Sequence, residues 1–430
     1  MRRALEQGEE MRAARARVRE AGGRVREAAS GAFPQLTGSL TYTRQLQSIY
    51  ADAGADTGIT NLFKNSPFGA ANSWNAELHA EQLLFAGGKV GAGIKAARSY
   101  RHAARENERE SASEVTFQVK RAYLDAALAR RVLAIAEGGL TLAREQLKQV
   151  RMFRKQGTRS EYDLLRAQVD AANQEPPVVS ARNTFDLALL ELKRLTNVPA
   201  AQPLELTTAL EPDSASVPVP APDSLGFETR PALVAAGENV TVQEQAVRAA
   251  IAGRWPELSA SATLSNLAFP QSVAPSSTGD FKRNWSASVK LSFPLFLGFR
   301  TEGAAERARA QVQEAEAERD RLRESVRIEV EQARLELEHA RSALAARREA
   351  VRWARRAHEL AGIRYGSGMA TQLDVSDARL QMQTAQMQQV QVTRDYLVAL
   401  AQLERALGRP VAVVWRSLES LEDKTGEEGQ

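Results

Sequence analysis

The chain has 430 residues, with 57 Lys and Arg against 53 Asp and Glu, a net charge of +4 and no cysteine. The two signs alternate along the same segments, which argues against a nucleic-acid stripe, and the missing thiols exclude disulfides, thiolate metal sites and cysteine nucleophiles within these residues, with no lipid on an N-terminal cysteine expected in this chain. Hydrophobic residues make up 43 % but aromatics only 6 %, so narrow helix-on-helix seams fit better than a thick core.

The sequence is internally duplicated. Residues 74–199 lie on 285–410 after a shift of 211 with no gap: Trp74 meets Trp285, Gly87 meets Gly298, Gly157 meets Gly368, Asp163 meets Asp374 and Pro199 meets Pro410. The expected organisation is a first repeat over 1–199, a Pro-rich linker over 200–228, a second repeat over 229–410 and a tail over 411–430.

In chain order, residues 1–32 read as one Ala/Arg-rich helix that Pro34 ends. The start lacks the apolar run of a secretory signal, so such a signal is expected to be absent from this chain. From Leu36 the period becomes two. Leu36, Gly38, Leu40 and Tyr42 alternate with polar neighbours, as do Trp74, Ala76, Leu78 and Ala80 on the return. Leu258 to Leu264 and Trp285 to Leu291 repeat the pattern, giving four strands in two hairpins. Their connecting loops, 52–69 and 270–280, are rich in turn residues.

A long helix follows each hairpin, about Lys89 to Gln156 and about Arg300 to Tyr365. At 1.5 Å per residue each spans roughly 100 Å. Val326, Val330, Ala333, Leu337, Ala340, Leu344, Val351 and Ala354 step by three, four or seven, the seam of a left-handed coiled coil. Val115, Val119, Ala122, Ala126, Ala129, Leu133, Leu140 and Ala143 repeat that seam. After glycine-centred turns, return helices of about 37 residues run to Thr196 and Leu407, and the second copy's opening helix covers about Pro231 to Gly253. No apolar run is long enough for a transmembrane helix, so any membrane span must be β-barrel strand. Four strands cannot close a barrel; three chains supply twelve.

These features carry a resemblance to a known family. Leu84-Phe85-Ala86-Gly87-Gly88 and Pro294-Leu295-Phe296-Leu297-Gly298 mark the strand-to-helix junctions, and Gly157 to Asp163 and Tyr365 to Asp374 mark the helical turns. Over about residues 3–410 the chain resembles the TolC-like outer membrane efflux proteins. The resemblance implies a mainly α fold with a small membrane β-barrel part. Long antiparallel coiled-coil helices would form an α-barrel, and four strands per chain would contribute to a 12-stranded trimeric β-barrel. It implies a homotrimer in the outer membrane of a Gram-negative bacterium, in contact with outer-membrane lipid and extending into the periplasm. Its role would be the passive exit duct of a tripartite efflux or type I secretion system, docked on a periplasmic adaptor protein and an inner-membrane RND or ABC-type transporter. The alternatives are the periplasmic adaptor itself or a coiled-coil scaffold. No enzyme, cofactor, metal or nucleic-acid partner is expected.

The family's pore-constricting aspartates fall on Asp374 and Asp377, where six carboxylates around an axis would attract multivalent cations. The bland alternative for Asp374 is a helix cap after Thr371. The family's closing network falls on Asp163 and Tyr365, but its lock arginine is replaced by Ala370, with Arg159 as the expected substitute. The adaptor-contact tips fall on Gly157, Thr158, Arg159, Ser160 and on Gly368, Met369, Ala370, Thr371, where the small Gly, Ser, Thr and Ala side chains would let helix ends interlock closely; the alternative is that these are ordinary turns.

Overall fold

The computed structural model describes residues 1–47, 70–207, 226–270 and 272–409. The first half holds α1 (Arg2–Gln7), α2 (Glu9–Ser30), β1 (Gln35–Arg44), β2 (Asn72–Ala86), α3 (Lys89–Lys155), α4 (Glu161–Asn173) and α5 (Glu175–Leu195). The second holds α6 (Pro231–Ala252), β3 (Glu257–Ala268), a 3₁₀ turn at Thr278–Asp280, β4 (Lys282–Ser292), α7 (Arg300–Gly366) and α8 (Gln372–Leu407). The loop expected over 52–69, most of the linker over 200–228 and the tail over 411–430 lie outside the described residues.

Both long helices run for 67 residues, within a residue or so of the expected bounds. Two expected single helices are divided. The opening helix breaks at Gly8, whose ψ of 142° is extended. The first return helix breaks at Gln174, because Pro176 and Pro177 occupy the first turn of α5, where a missing N–H leaves no helical bond unmade. α8 has no proline and runs unbroken for 36 residues to Gly408, a left-handed C-cap at φ 66°.

Contacts divide the chain into two compact units, each drawing on both halves of the sequence. One takes its described residues from Met1–Val18, Ala104–Ala235 and Glu318–Gln430. Its largest apolar cluster contains the α7 seam, Val326, Val330, Ala333, Leu337, Ala340 and Leu344, packed with Tyr396, Leu400, Leu403 and Leu407 of α8. The α3 seam, Val115, Val119, Ala122 and Ala126, packs with Leu192 of α5 and with Ala4 and Met11. Each buried Leu or Val contributes about 1.5–3 kcal/mol, and the intervening alanines let helix axes approach closely. Arg230, just before α6, is buried in this unit. It donates to Glu110 of α3 at 2.7 Å and to Glu329 of α7 at 2.6 Å. Burial opposes its charge, but the bonds to both carboxylates outweigh that and raise its pKa.

The other unit takes Arg19–Ala103 and Ala236–Ala317. It holds one four-stranded antiparallel sheet in the order β1-β2-β3-β4. The two hairpins are therefore joined through β2 and β3, a pairing the sequence pattern left open. Gly87 turns β2 into α3 at φ +59°, and a Cβ there would lie 2.7 Å from Trp255 Cβ and 2.8 Å from the Ala252 carbonyl oxygen. Only glycine satisfies both the backbone angle and the space.

Candidate functional site

Two regions of the chain carry surfaces that a core does not require: the sheet and the pair of helical turns. In the sheet, directly paired residues share a face. One row reads Gly38, Leu78, Leu264, Trp285 and the next Leu36, Ala80, Ala262, Ala287. The opposite face reads Thr37, His79, Thr263, Ser286 and Ser39, Glu77, Ser265, Asn284. The apolar row ends are open to the surroundings, with Leu36 65 % and Trp285 73 % exposed. Within the described sheet, β1 and β4 each have one unpaired edge. Aromatics collect at both ends. Tyr42 and Trp74 meet at a tilt, their centroids 5.0 Å apart, at one end, where the Trp74 indole donates to the Val273 carbonyl at 2.9 Å. Phe296 and Phe299 meet edge-on at 5.9 Å at the other.

The two helical turns are built alike. α3 ends with Gly157 at φ +74°, Gly157 N donating to the Arg154 carbonyl and Thr158 N to the Phe153 carbonyl. α7 ends with Gly368 at φ +75°, Gly368 N donating to the Tyr365 carbonyl and Met369 N to the Arg364 carbonyl. Such crossed bonds at a left-handed glycine satisfy the last carbonyls of a helix. The next helix then opens on a reciprocal cap. Asp163 N donates to Ser160 Oγ at 3.2 Å, and Ser160 N to Asp163 Oδ2 at 3.2 Å. Asp374 N likewise donates to Thr371 Oγ1 at 3.3 Å, and Thr371 N to Asp374 Oδ2 at 2.7 Å.

Asp374 thus caps α8. Hydrogen bonds from the Thr371 backbone N–H and hydroxyl, with help from the Arg364 charge, hold its carboxyl below the usual aspartate range. Its cap bonds use Oδ2, and the residue is exposed. Asp377, one helical turn on and also exposed, accepts from Gln381 Nε2 at 2.7 Å. The two carboxylates, three residues apart, share one side of α8.

Behind the turns sits a small core of Val150, Ala167, Tyr365 and Val375, flanked by Phe153, Leu164 and Ala370. Arg159 leaves the first turn and lies over the Tyr365 ring, its guanidinium carbon 4.5 Å from the centroid. It also donates to the Tyr365 carbonyl at 3.4 Å. The Tyr365 hydroxyl is buried and has no hydrogen-bond partner. Burial raises its pKa, opposed by the charge of Arg159 and reinforced by that of Asp163. The turn residues Gly157, Thr158, Ser160, Gly368, Met369 and Thr371 are exposed or half-buried at the surface, and Ala370 is half-buried against the core.

Sequence reasoning missed a second tie between the halves at this level. Arg379 of α8, buried, donates to Asp170 of α4 at 2.6 Å, and Ser376 Oγ donates to the same carboxylate at 3.2 Å. No motif marks it, since its members lie 206 and 209 residues apart. Among the described residues no group of His, Cys, Asp or Glu is placed to hold a metal. No described helix is long and apolar enough to cross a membrane.

Comparison with known proteins agrees with this geometry. The model of the outer membrane efflux protein family matches residues 1–198 and 226–409. Outer membrane efflux protein BepC of Brucella suis biovar 1 is 26 % identical over 413 residues, covering 94 % of this chain and 83 % of that protein. Two crystal structures share the fold. A membrane protein from Pseudomonas aeruginosa superposes with a TM-score of 0.78 at 22 % identity, covering 94 % of this chain and 91 % of its own. The outer membrane protein VceC from Vibrio cholerae gives 0.76 at 21 % identity, covering 96 % and 95 %. The chain belongs to the outer membrane efflux protein family: it is a passive exit duct of the Gram-negative outer membrane and not an enzyme.

Proposed function

We propose that three copies of this chain close a 12-stranded barrel in the outer membrane, continued by a helical tunnel that passes cargo outward without chemistry. The observation that carries this reading is the sheet. Its two open edges need partners, and its apolar face with aromatics at both ends suits a lipid-embedded wall over a polar lumen. Cargo would arrive from an inner-membrane RND or ABC-type transporter through a periplasmic adaptor, which would grip the two turns, where most side chains are small. Residues 1–199 and 229–410 are read as two structural repeats, joined by 200–228 and followed by a tail over 411–430. The recurring order of helix, hairpin, long helix and return helix supports that division, as do the matching turns.

Asp374 and Asp377 are the proposed constriction. Capping and pore lining are compatible, because the cap engages Oδ2 while the exposed carboxylate keeps its charge. With the family's lock arginine replaced by Ala370, the proposed latch is Arg159 stacked on Tyr365 within one chain, tying the first turn to the second. The test is planar-bilayer conductance of the purified protein. Stable steps from a species of trimer mass, with trivalent-cation block lost in Asp374→Ala/Asp377→Ala, are expected. A folded trimer without conductance refutes the duct, whereas block unchanged by both substitutions refutes only the aspartate assignment.

A further inference from the structure

The apolar face of the sheet breaks its own pattern at one end. Among the described strand residues this face places charge at two positions, Arg44 on β1 and Arg283 on β4. Both are exposed, and both stand at the end remote from α3 and α7. The carboxylates of the strands, Glu77, Glu81 and Glu257, lie on the opposite face. A guanidinium on a lipid-facing row is unfavourable in mid-membrane and nearly free at the membrane edge. From Arg283 to Phe293, the residue after β4, is ten positions, about 34 Å of strand and about 26 Å of height at a tilt of about 40°. The apolar band of such barrels is roughly 25 Å tall. With the helices on the periplasmic side, Arg283 stands at the headgroups of the outer leaflet, a level that Tyr42 and Trp74 also mark.

Arg283 is part of a built recess. Asn266, opposite it in the β3–β4 register, joins Ala76, Thr278 and Phe281 in lining an open recess of about 620 Å³. Thr278 comes from the 3₁₀ turn, which Asp280 holds in shape by accepting from Ser276 N at 2.8 Å and Ser277 N at 3.0 Å. The carboxylate nearest in sequence is thus engaged within its own turn. Among the described residues no hydrogen bond or ion pair engages the side chains of Asn266, Thr278 or Arg283. The recess offers a guanidinium fork, an amide and a hydroxyl, with no acidic side chain in its lining. Donors of this kind around an arginine suit phosphate oxygens.

We infer that the recess holds a phosphate of an outer-leaflet glycolipid, the phosphorylated glucosamine headgroup of lipopolysaccharide, whose acyl chains lie along the apolar rows at Trp285 and Leu264. The inference rests on the lipid-facing wall proposed above and assigns one lipid to it. Charge complementarity selects a phosphate. The leucine and tryptophan rows that begin one step below select a phosphate carried on acyl chains, since a soluble anion gains nothing from them.

The test is native mass spectrometry of the purified protein in detergent, titrated with lipid A and with lipid A stripped of its phosphates, each with and without inorganic phosphate. Lipid A is expected to bind, the stripped lipid about tenfold more weakly, and inorganic phosphate should not compete. Arg283→Gln, at an exposed site that the fold does not need, is expected to weaken lipid A binding about tenfold, the worth of one bond between charged groups. Asn266→Ala should weaken it less. Lys282→Gln removes the same charge from the opposite face and should change nothing. Equal binding of the two lipids, an equal loss in Lys282→Gln, or competition by inorganic phosphate overturns the assignment. The wall is read separately. With no native cysteine, a fluorophore on Val289→Cys in proteoliposomes should be quenched by nitroxide-bearing lipid. Such quenching without any phosphate preference overturns the recess and leaves the wall standing, whereas a label reached only by a water-soluble quencher overturns the wall as well.

Discussion

Removing the Arg159 side chain should ease opening of the periplasmic end, and the structure sets the size of the effect. Its guanidinium lies 4.5 Å from the Tyr365 ring centroid with part of its surface wet, a geometry worth about 0.5–1 kcal/mol. The 3.4 Å bond to the Tyr365 carbonyl adds little, being near the limit for a hydrogen bond. Each chain would lose roughly two- to fivefold in its preference for the latched state. Three chains opening together would lose about 10- to 150-fold. Single-channel recording of Arg159→Ala should therefore show a large rise in open probability, with Arg159→Lys intermediate because an ammonium still sits over the ring. Tyr365→Phe is the discriminating variant. The hydroxyl has no partner, so its removal should leave gating unchanged, while Tyr365→Ala should match Arg159→Ala. If Tyr365→Phe opens the channel as strongly as Tyr365→Ala, the hydroxyl holds the latch and the stacking argument fails.

Gly87→Ala and Gly298→Ala form a matched pair, since both glycines sit near φ +60° but only Gly87 is crowded. The left-handed backbone alone costs about 1–2 kcal/mol, so Gly298→Ala should lower stability by that much and Gly87→Ala by clearly more in denaturant unfolding; equal losses would show that the Trp255 contact yields freely. Arg230→Met should cost about 3 kcal/mol, the low end for breaking a buried pair, because Glu110 and Glu329 keep some solvent access. Adding Glu110→Gln should recover part of that, and no recovery would place the loss in packing. The carboxyl of Asp374 is depressed in the folded chain, so its cap is fully present above the usual aspartate range of about 4 and is lost only as pH falls through the lower folded value. Cation block should accordingly persist below pH 4, and block that fades already near pH 5 would contradict the bonded carboxylate.

Much of this architecture is written in local pattern. The ends of α3 and α7 were legible because a glycine stands at each turn and a Ser or Thr three residues before an aspartate opens the next helix. The α7 seam was legible because its heptads are filled by Val, Leu and Ala. What escaped the pattern is what depends on partners far along the chain. The β2–β3 pairing gives no local sign in either strand. The bonds of Arg230 and Arg379 join helices from different halves, and their acceptors look like any surface carboxylate. The split at Gln174 was visible in Pro176 and Pro177, yet helical periodicity on both sides concealed it, since prolines in a first turn do not disturb the helix they begin. The candidate site divides similarly. The cap at Asp374 follows from its spacing to Thr371, whereas the stacking of Arg159 on Tyr365 appears only once the two turns share one core.

The sheet also bears on how such a chain survives before it is useful. Two raw borders, one on β1 and one on β4, flank a face of leucine, alanine and tryptophan that water does not favour. A newly delivered copy is therefore at its most adhesive while still in transit, and any wandering strand could add to either border. Escort by a holding chaperone, and the speed with which copies find one another, would then govern how much ends up in the envelope and how much is degraded.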